Sequence, residues 1–358
     1  KISKFLSLIE KSSFNKFGVF FSWLFGHLDT SNNLLNCYLT EKHFLKNHLK
    51  SNKYDIVLGI FSPHYHHKNC RWINNKYKIP YILDYRDLWS NRIIHLDYKP
   101  NLTEKIQDFF SIFWWKKWSK NSLFNTITSE PWKNKLIQTN KKNGFVITNG
   151  FEKSFFENTN STKNNKVFKI VHNGSLYRHQ NHEIFFKGVK LFIEKTKPSH
   201  FIIEFVGAKR YTYTKGINSF IDPNEIEHGI DAKYISFSER IPYVESINNI
   251  LESQILYFPT FPYSKGTYAG KIFEYLGAKR NILAAPKDND VIDKLLLETK
   301  AGVSLNTAIE VANFIEEKYN EWLQNGFCFF NGDKDEISKY SRESQTERLS
   351  NLIKDALK

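Results

Sequence analysis

The stretch Lys271-Ile272-Phe273-Glu274-Tyr275-Leu276-Gly277 follows an apolar run, residues 255–258, and a loop rich in small and polar residues. This order predicts a strand, a loop and a helix that begins near Lys271. Unpaired backbone N–H groups and a positive dipole at a helix start attract anions. Glu274 would lie about one turn into the helix, on the same face as Lys271. The stretch therefore predicts a phosphate site, although an ordinary loop–helix junction with a Lys–Glu pair also fits it.

The loop and the helix carry the side chains that a nucleotide needs. Ser264, Thr267 and Lys271 are hydrogen-bond donors for phosphate, and Gly270 precedes the helix. The Glu274 carboxylate can accept hydrogen bonds from ribose hydroxyls, as the acidic residue of dinucleotide-binding folds does.

Strands and helices alternate on both sides of this stretch. In the second half, strands are predicted at 168–172, Phe201–Val206, 255–258 and 280–285, with a turn at 173–175 and a helix at Glu183–Thr196. In the first half, strands are predicted at 54–61, 79–84, 122–128 and 144–150, with a helix at 103–120. Polar residues 152–166 read as a linker between the halves. Two βαβ series of similar length predict two Rossmann-like domains facing a central cleft.

The predicted boundaries follow from that linker. An N-terminal acceptor domain covers residues 1–150, and a C-terminal donor domain covers 151–335. The charged amphipathic pattern near the end predicts a helix, 336–358, that packs back toward the N-terminal domain.

Composition excludes several classes of protein. The chain has 358 residues, 41% of them hydrophobic, which is enough for two cores. Its three cysteines are far apart without a CxxC pair, so we expect neither a disulfide framework nor a zinc site, and a reducing cytoplasm fits. Residues 17–26 are apolar but shorter than the roughly 18 residues that span a bilayer, and we expect a core or surface helix there.

The order of several patches resembles a known family. KIFEYLG (271–277), followed by NILA (281–284), resembles the signature of family 4 retaining glycosyltransferases, of the bacterial polysaccharide type. Other patches match in order: DIVLGIFSP (55–63), IPYILDYRDLW (79–89), VITNGF (146–151), NGSL (173–176), ISFSERIPY (235–243) and YSRE (340–343). The resemblance implies the GT-B architecture and a metal-independent transfer from a UDP- or GDP-sugar.

The resemblance also implies roles for individual residues. Arg86, Asp87 and Lys271 would act in catalysis. The donor would be bound by Gly174, Ser175, Arg178, Arg240, Ser264, Thr267, Gly270, Lys271, Ile272 and Glu274. Two departures stand out: Gly266 occupies the place of the family's sugar-contacting acid, and neither Ser175 nor Gln180 is the base that usually holds the diphosphate.

Two clusters of the first half allow more than one interpretation. The histidines near 62–67 fit contacts with the acceptor, through His64 and His66, or with the donor, and they also fit an ordinary surface loop. A metal site there lacks partner ligands. Asp84, Arg86 and Asp87 follow a strand, and Asp84 is expected to contact the acceptor. The cluster would orient sugar hydroxyls, serve as a base, or form an internal salt bridge.

A Phe/Trp/Lys cluster at 109–118 fits a membrane interface or an ordinary core stripe. The formal net charge of +14 favours an anionic partner, but no nucleic-acid-binding motif is present. We expect a cytoplasmic enzyme on the inner face of the membrane, acting on a glycan or lipid-linked acceptor. The alternatives are a nucleotide-sugar epimerase or hydrolase, and a non-catalytic basic subunit.

Overall fold

The computed structural model describes residues 32–88, 99–156, 166–209, 220–222 and 229–358. The predicted helix at 17–26, Trp89 and most of the predicted linker lie outside these residues. The chain divides into two compact units, Lys1–Ile147 and Thr148–Lys358. Each unit contains a parallel β-sheet with helices packed against it.

The first unit has four described strands in the order β1-β2-β3-β4. Its elements are α1 (Asn32–Ser51), β1 (Val57–Phe61), α2 (Tyr65–Tyr77), β2 (Tyr81–Tyr85), α3 (Leu102–Ser119), β3 (Asn125–Ile127), α4 (Glu130–Asn140) and β4 (Gly144–Val146). All five residues of β2 are buried, as expected for an inner strand of a parallel sheet. Trp115 and Trp118 of α3 are also buried and complete this core.

The second unit has six described strands in the order β10-β9-β8-β5-β6-β7. Its elements are a 3₁₀ turn (Lys153–Phe155), β5 (Phe168–Asn173), α5 (Glu183–Thr196), β6 (Phe201–Val206), a 3₁₀ turn (Ala232–Tyr234), β7 (Ile235–Phe237), α6 (Tyr243–Glu252), β8 (Ile255–Pro259), α7 (Lys271–Ala278), β9 (Asn281–Ala285), α8 (Val291–Thr299), β10 (Gly302–Ser304), α9 (Ala308–Asn325), α10 (Lys334–Ser338) and α11 (Arg342–Leu357).

Two apolar clusters sandwich the second sheet. Phe185 of α5 and Val311 of α9 belong to one cluster, whereas Ile247 of α6, Ile272 of α7 and Ile292 of α8 belong to the other. Helices on both faces of a parallel sheet define a doubly wound α/β unit.

The predicted order of strands and helices is confirmed along the described chain. Helix α5 and strand β6 match their predicted bounds, and the other predicted strands differ from the observed ones at their ends. The predicted C-terminal helix is instead two helices, α10 and α11. Ser341 separates them because its side chain accepts a hydrogen bond from the Ser344 N–H and caps α11. The domain boundary at residue 150 and the packing of 336–358 toward the N-terminal domain stay predictions.

No described helix combines the length and the apolar character that crossing a membrane requires.

Candidate nucleotide site

The order of the strands locates the candidate site. In the second sheet, the strand order reverses between the neighbouring strands β5 and β8. From β5 the chain runs outward to β7 on one side, and from β8 it runs outward to β10 on the other. In doubly wound sheets, ligands bind outside the carboxyl ends of the strands at such a reversal. Strand β5 ends at Asn173 and β8 ends at Pro259. Gly174 and the loop 260–270, which follow these strands, therefore border the candidate site.

Gly174 lets the backbone approach a lysine. Its φ is 107°, a conformation that costs glycine little. A Cβ at this position would lie 3.0 Å from the Nζ of Lys271. The Gly174 N–H donates to the carbonyl oxygen of Val206 at 2.7 Å, which fixes the turn. The turn thus places backbone atoms beside an ammonium group at the carboxyl end of β5.

Lys271 is the first residue of α7 and contacts β5. Its Nζ lies 3.1 Å from the Nε2 of His172. His172 is fully buried, and its Nδ1 lies 3.0 Å from the carbonyl oxygen of Tyr257. A carbonyl oxygen only accepts hydrogen bonds, so we assign the ring proton to Nδ1, and Nε2 then accepts from Lys271.

The pKa values of this pair favour the neutral imidazole. Desolvation lowers the pKa of Lys271 to about 7, and the Glu274 carboxylate opposes part of that shift. Desolvation and the nearby Lys271 charge lower the pKa of His172 well below its ordinary value. An anion close to Lys271 would favour the ammonium form, because an opposite charge stabilises it.

Asn173 ties the end of β5 to two helices. Its N–H donates to the hydroxyl of Tyr275 at 2.9 Å. Its Nδ2 donates to the carbonyl oxygen of Ser246 at 3.0 Å and to its Oγ at 2.8 Å. Asn173 and Tyr275 are both buried. These bonds hold the Gly174 turn against α6 and α7.

Glu274 lies one turn into α7 and pairs with a tyrosine. The hydroxyl of Tyr243, the first residue of α6, donates to Oε1 of Glu274 at 3.2 Å. Desolvation raises the pKa of Glu274, while the Tyr243 hydrogen bond and the charges of Arg342 and Lys271 lower it. An ionised carboxylate has room for several donors, so one tyrosine leaves capacity for ribose hydroxyls.

The start of α7 differs from the prediction. The N–H of Ile272 donates to the Ala269 carbonyl oxygen at 3.1 Å, and the N–H of Phe273 donates to that of Gly270 at 3.2 Å. The prediction of free amides at this helix start is therefore wrong for these two residues, because a tight first turn uses them. The Ile272 side chain is fully buried and serves the core.

The loop before α7 is anchored by a carboxylate. The Gly266 N–H donates to Oδ2 of Asp290 at 2.5 Å. Ser264 is buried, Thr267 is half-buried, and Gly270 is exposed with open space where a Cβ would be. The position at which the resemblance expects a sugar-contacting acid is thus a glycine held by an acid from another loop.

Arg240 lies beside a neighbouring glycine turn. Gly207 follows β6 with φ 78°, and a Cβ there would lie 3.4 Å from Cγ of Arg240 and 3.7 Å from Cα of Gly174. Gly174, Lys271 and Arg240 are therefore brought together around these turns. Arg240 and Arg178 are exposed, whereas Ser175 is buried.

Gln180 has a structural role where the resemblance expects a base. Its Oε1 accepts from the Tyr177 N–H and its Nε2 donates to the Pro259 carbonyl oxygen, both at 3.0 Å. The side chain is buried and links the loop after β5 to the end of β8.

In the first unit, Asp84 forms an internal salt bridge. Its Oδ2 accepts from Nε of Arg86 at 2.7 Å and its Oδ1 accepts from Nη2 at 2.6 Å. The hydroxyl of Thr126 also donates to Oδ1, at 2.5 Å. Asp84 is buried and Asp87 is exposed. The salt-bridge interpretation of this cluster therefore describes Asp84 and Arg86.

His66 is engaged within the first unit. Its Nε2 lies 3.3 Å from Oε2 of Glu41, and its Nδ1 lies 2.9 Å from the Ile60 carbonyl oxygen. The hydrogen bond with Glu41 raises the pKa of His66. His64 is half-buried and precedes α2, on which His66 lies. Among the described residues, no group of three or more His, Cys, Asp or Glu is placed to hold a metal ion.

Three contributors to the site were not predicted from residue type: His172, Asn173 and Tyr243. His172 ends the predicted strand 168–172 and Asn173 begins the predicted turn 173–175, so the strand-end rule that selected Gly174 applied to them too. Tyr243 ends the quoted motif at 235–243, but its bond to Glu274 joins elements 31 residues apart.

No protein-family model matches the chain, and no curated protein is similar to it in sequence. Solved structures are similar in fold. They include sucrose-phosphate synthase of Thermosynechococcus elongatus (TM-score 0.57, 11% identity, 90% of this chain and 78% of that one), HepE of Anabaena in complex with UDP (0.59, 10%, 89% and 82%) and the UDP-forming α,α-trehalose-phosphate synthase of Burkholderia vietnamiensis (0.57, 8%, 94% and 80%).

These similarities, together with the two parallel sheets, confirm the predicted fold. The chain has the α/β fold of the GT-B glycosyltransferases.

Proposed function

We propose that this protein is a glycosyltransferase that binds its nucleotide-sugar donor in the second unit. The observation that supports the proposal is the Lys271 ammonium beside the Gly174 turn, at the strand reversal of the sheet. The similar HepE structure was solved with UDP, and another HepE structure contains UDP-glucose. A UDP- or GDP-sugar is therefore the donor class that we propose.

The side chains around Gly174 suit a diphosphate leaving group. Lys271 and Arg240 would neutralise the phosphate charge that develops as the sugar–phosphate bond breaks, with Arg178 as a further cation. Glu274, held by Tyr243, would accept hydrogen bonds from the ribose. Ser264, Thr267 and Gly270 stay proposed donor contacts. Retention of configuration and independence of metal rest on the resemblance to family 4 enzymes.

The acceptor is proposed to contact the first unit. Arg86 and Asp87 stay proposed catalytic residues. The carboxylate of Asp87 is exposed, whereas that of Asp84 is buried. Asp84 stays a proposed acceptor contact, and its salt bridge would also orient Arg86. His64 and His66 stay proposed acceptor contacts. A glycan or lipid-linked acceptor of bacterial cell-surface polysaccharide synthesis is the substrate class that the resemblance favours.

One face of α3 supports contact with a membrane surface. Leu102 is 74% exposed, Phe109 is 65% exposed and Phe113 is 47% exposed, and Ile106 lies between them. At 100° per residue these four side chains form one stripe along the helix. Trp115 and Trp118 are buried instead. The predicted Phe/Trp/Lys cluster thus divides into a core side and an exposed apolar stripe.

Lysines border the exposed stripe of α3. Lys105, Lys116 and Lys117 are exposed on the same face, and Lys120 follows the helix. The Nζ of Lys117 lies 4.5 Å from the ring centre of Trp114. The two acidic residues of α3, Glu104 and Asp108, are half-buried and lie on the side of the helix away from the stripe. Apolar side chains with a lysine border fit an anionic bilayer surface, so we propose a peripheral location on the inner face of the cell membrane.

A donor screen tests the proposed function. We expect UDP-sugars or GDP-sugars to raise the Tm of the purified protein, and transfer of the sugar to an acceptor to release the nucleoside diphosphate. Release of the free nucleotide without a glycoside product would favour the hydrolase alternative, and isomerised donor would favour the epimerase. If no nucleotide-sugar changes the Tm, the chain does not bind a donor, and the alternative of a non-catalytic basic subunit is favoured.

A further inference from the structure

We propose that His172 is a positioning residue that holds Lys271 at the Gly174 turn, so that each nucleotide-sugar bound there is accompanied by proton uptake at Lys271. This inference rests on the proposed donor site and adds to it a role for His172 and a pH dependence.

The geometry fixes the direction of each hydrogen bond. Nδ1 of His172 faces the Tyr257 carbonyl oxygen at 3.0 Å, and Nε2 faces Nζ of Lys271 at 3.1 Å. The first contact requires a proton on Nδ1, which leaves Nε2 as an acceptor while the ring is neutral. His172 therefore accepts a hydrogen bond from Lys271 in both of the lysine's protonation states.

The surroundings keep the imidazole in this state. His172 is fully buried on the central strand β5, and a second charge next to Lys271 is disfavoured there. The titratable groups that act on the pair are Glu274 on α7 and His182, whose Nδ1 lies 3.4 Å from the Tyr257 hydroxyl. Arg240 lies at the neighbouring Gly207 turn. Glu274 alone among them favours the ammonium form.

A diphosphate at the Gly174 turn would change this balance. Two phosphate charges beside Nζ favour the ammonium form, so a Lys271 that is partly neutral near pH 7 takes up a proton as the donor binds. Above about pH 7 the affinity should fall by about tenfold per pH unit, until the pKa of the bound form is reached. Below about pH 7 the titration of Lys271 leaves the affinity unchanged.

Calorimetry of UDP-glucose and GDP-mannose binding tests the proposal. Each phosphate of a nucleotide-sugar carries one ester bond and the bridging anhydride bond, so neither has an acidic group that titrates near neutral pH. Titrations in two buffers of different ionisation enthalpy give the number of protons taken up. We expect a value between zero and one near pH 7 that approaches one near pH 8 in the wild-type protein.

Three variants separate positioning from a purely structural role. His172→Phe removes the acceptor, and we expect weaker donor binding with little proton uptake, because Lys271 then leaves the turn for solvent. His172→Gln keeps an acceptor oxygen and should restore part of the uptake. His67→Gln is the matched control: it alters a buried histidine of the first unit and should lower the Tm while proton uptake stays at the wild-type value.

The outcomes distinguish this inference from the proposed function. If neither nucleotide-sugar binds the wild-type protein, the donor site itself is wrong. If a nucleotide-sugar binds without proton uptake and with an affinity that is constant between about pH 7 and pH 9, the donor site stands and the role of His172 and Lys271 is overturned. Should His172→Phe fail to fold, the wild-type proton count and the His172→Gln variant decide the question.

Discussion

Among single residues, Lys271 lies at the candidate site and, because its ammonium group is desolvated, lowers the free energy of unfolding of the ligand-free protein. Desolvation lowers its pKa to about 7, whereas a lysine in the unfolded chain titrates near its ordinary value. The unfolded state therefore binds more protons than the folded state between about pH 7 and pH 10. The free energy of unfolding should rise with pH across this range, and the full cost remains at lower pH.

We expect Lys271→Met to raise the Tm of the ligand-free protein at about pH 7 and to raise it less at about pH 10, because the ionisation penalty disappears with the ammonium group. The same variant should lose the increase in Tm that a nucleotide-sugar causes. Thermal unfolding at the two pH values measures both effects. Lys287→Met, at an exposed lysine, is the control. A lower Tm at both pH values would contradict the expectation.

Glu274 and Tyr243 form the proposed ribose end of the site. Glu274→Ala should weaken donor binding by about 1.5–3 kcal/mol, the range for a hydrogen bond to a charged group. Tyr243→Phe should weaken it by about 1 kcal/mol, because it frees one side of the carboxylate without removing it. Affinities from calorimetry check both values. Glu317→Ala alters an exposed carboxylate of α9 and should have no effect. A folded Glu274→Ala protein with unchanged affinity would remove Glu274 from the site.

For individual elements, the exposed face of α3 gives a prediction about membranes. We expect the double variant Phe109→Ser, Phe113→Ser to lose most binding to vesicles that contain anionic lipid, because each phenylalanine contributes about 1.5–3 kcal/mol on burial. Vesicle sedimentation measures the bound fraction. Leu297→Ser is the matched control, since Leu297 is 80% exposed on α8 of the second unit.

Two results would refute the membrane contact through α3. One is equal sedimentation of the double variant and the wild-type protein. The other is equal binding of the wild-type protein to anionic and to uncharged vesicles, since the lysine border of the face requires a charge-dependent attraction that salt weakens.

Helix α7 packs closely because one of its residues is glycine. A Cβ at Gly277 would lie 2.8 Å from ring carbons of Phe151 and of Phe156, which are both buried. We expect Gly277→Ala to lower stability by about 1–3 kcal/mol, the usual cost of overpacking. Gly270→Ala, at the start of the same helix, meets nothing within 4 Å and should cost far less. Denaturant unfolding of the two variants compares them, and equal losses would argue against close packing at Gly277.

For the whole molecule, the two units should respond differently to a donor. Hydrogen exchange with and without a nucleotide-sugar should show added protection in peptides that cover 172–175, 240–246 and 266–274. These segments hold Lys271 and its neighbours, and ligand binding suppresses local opening of the structure that it contacts. Protection confined to peptides of the first unit, Lys1–Ile147, would place the donor elsewhere.

Much of the fold was predictable because local patterns and burial agree. Apolar runs such as Phe201–Val206 and the amphipathic pattern of Glu183–Thr196 are bounded in the sequence as they are in the structure. The helix break at Ser341 was harder to predict, since the hydrophobic pattern continues through it. The hydrogen bonds that the first amides of α7 donate were also not predicted, because a tight first turn and a standard one have the same sequence signature.

The sequence by itself determined the alternation of strands and helices and the fold class, because hydrophobic periodicity and turn residues act over short distances along the chain. Only the tertiary structure decided that Lys271 contacts His172 and that Tyr243 donates a hydrogen bond to Glu274. It also decided that Asp84 accepts hydrogen bonds from Arg86 and Thr126. The first two contacts join β5 to α7 and α6 to α7, and Thr126 reaches Asp84 across neighbouring strands. Strand order brings these residues together, and with them it sets the desolvation that gives Lys271 its low pKa.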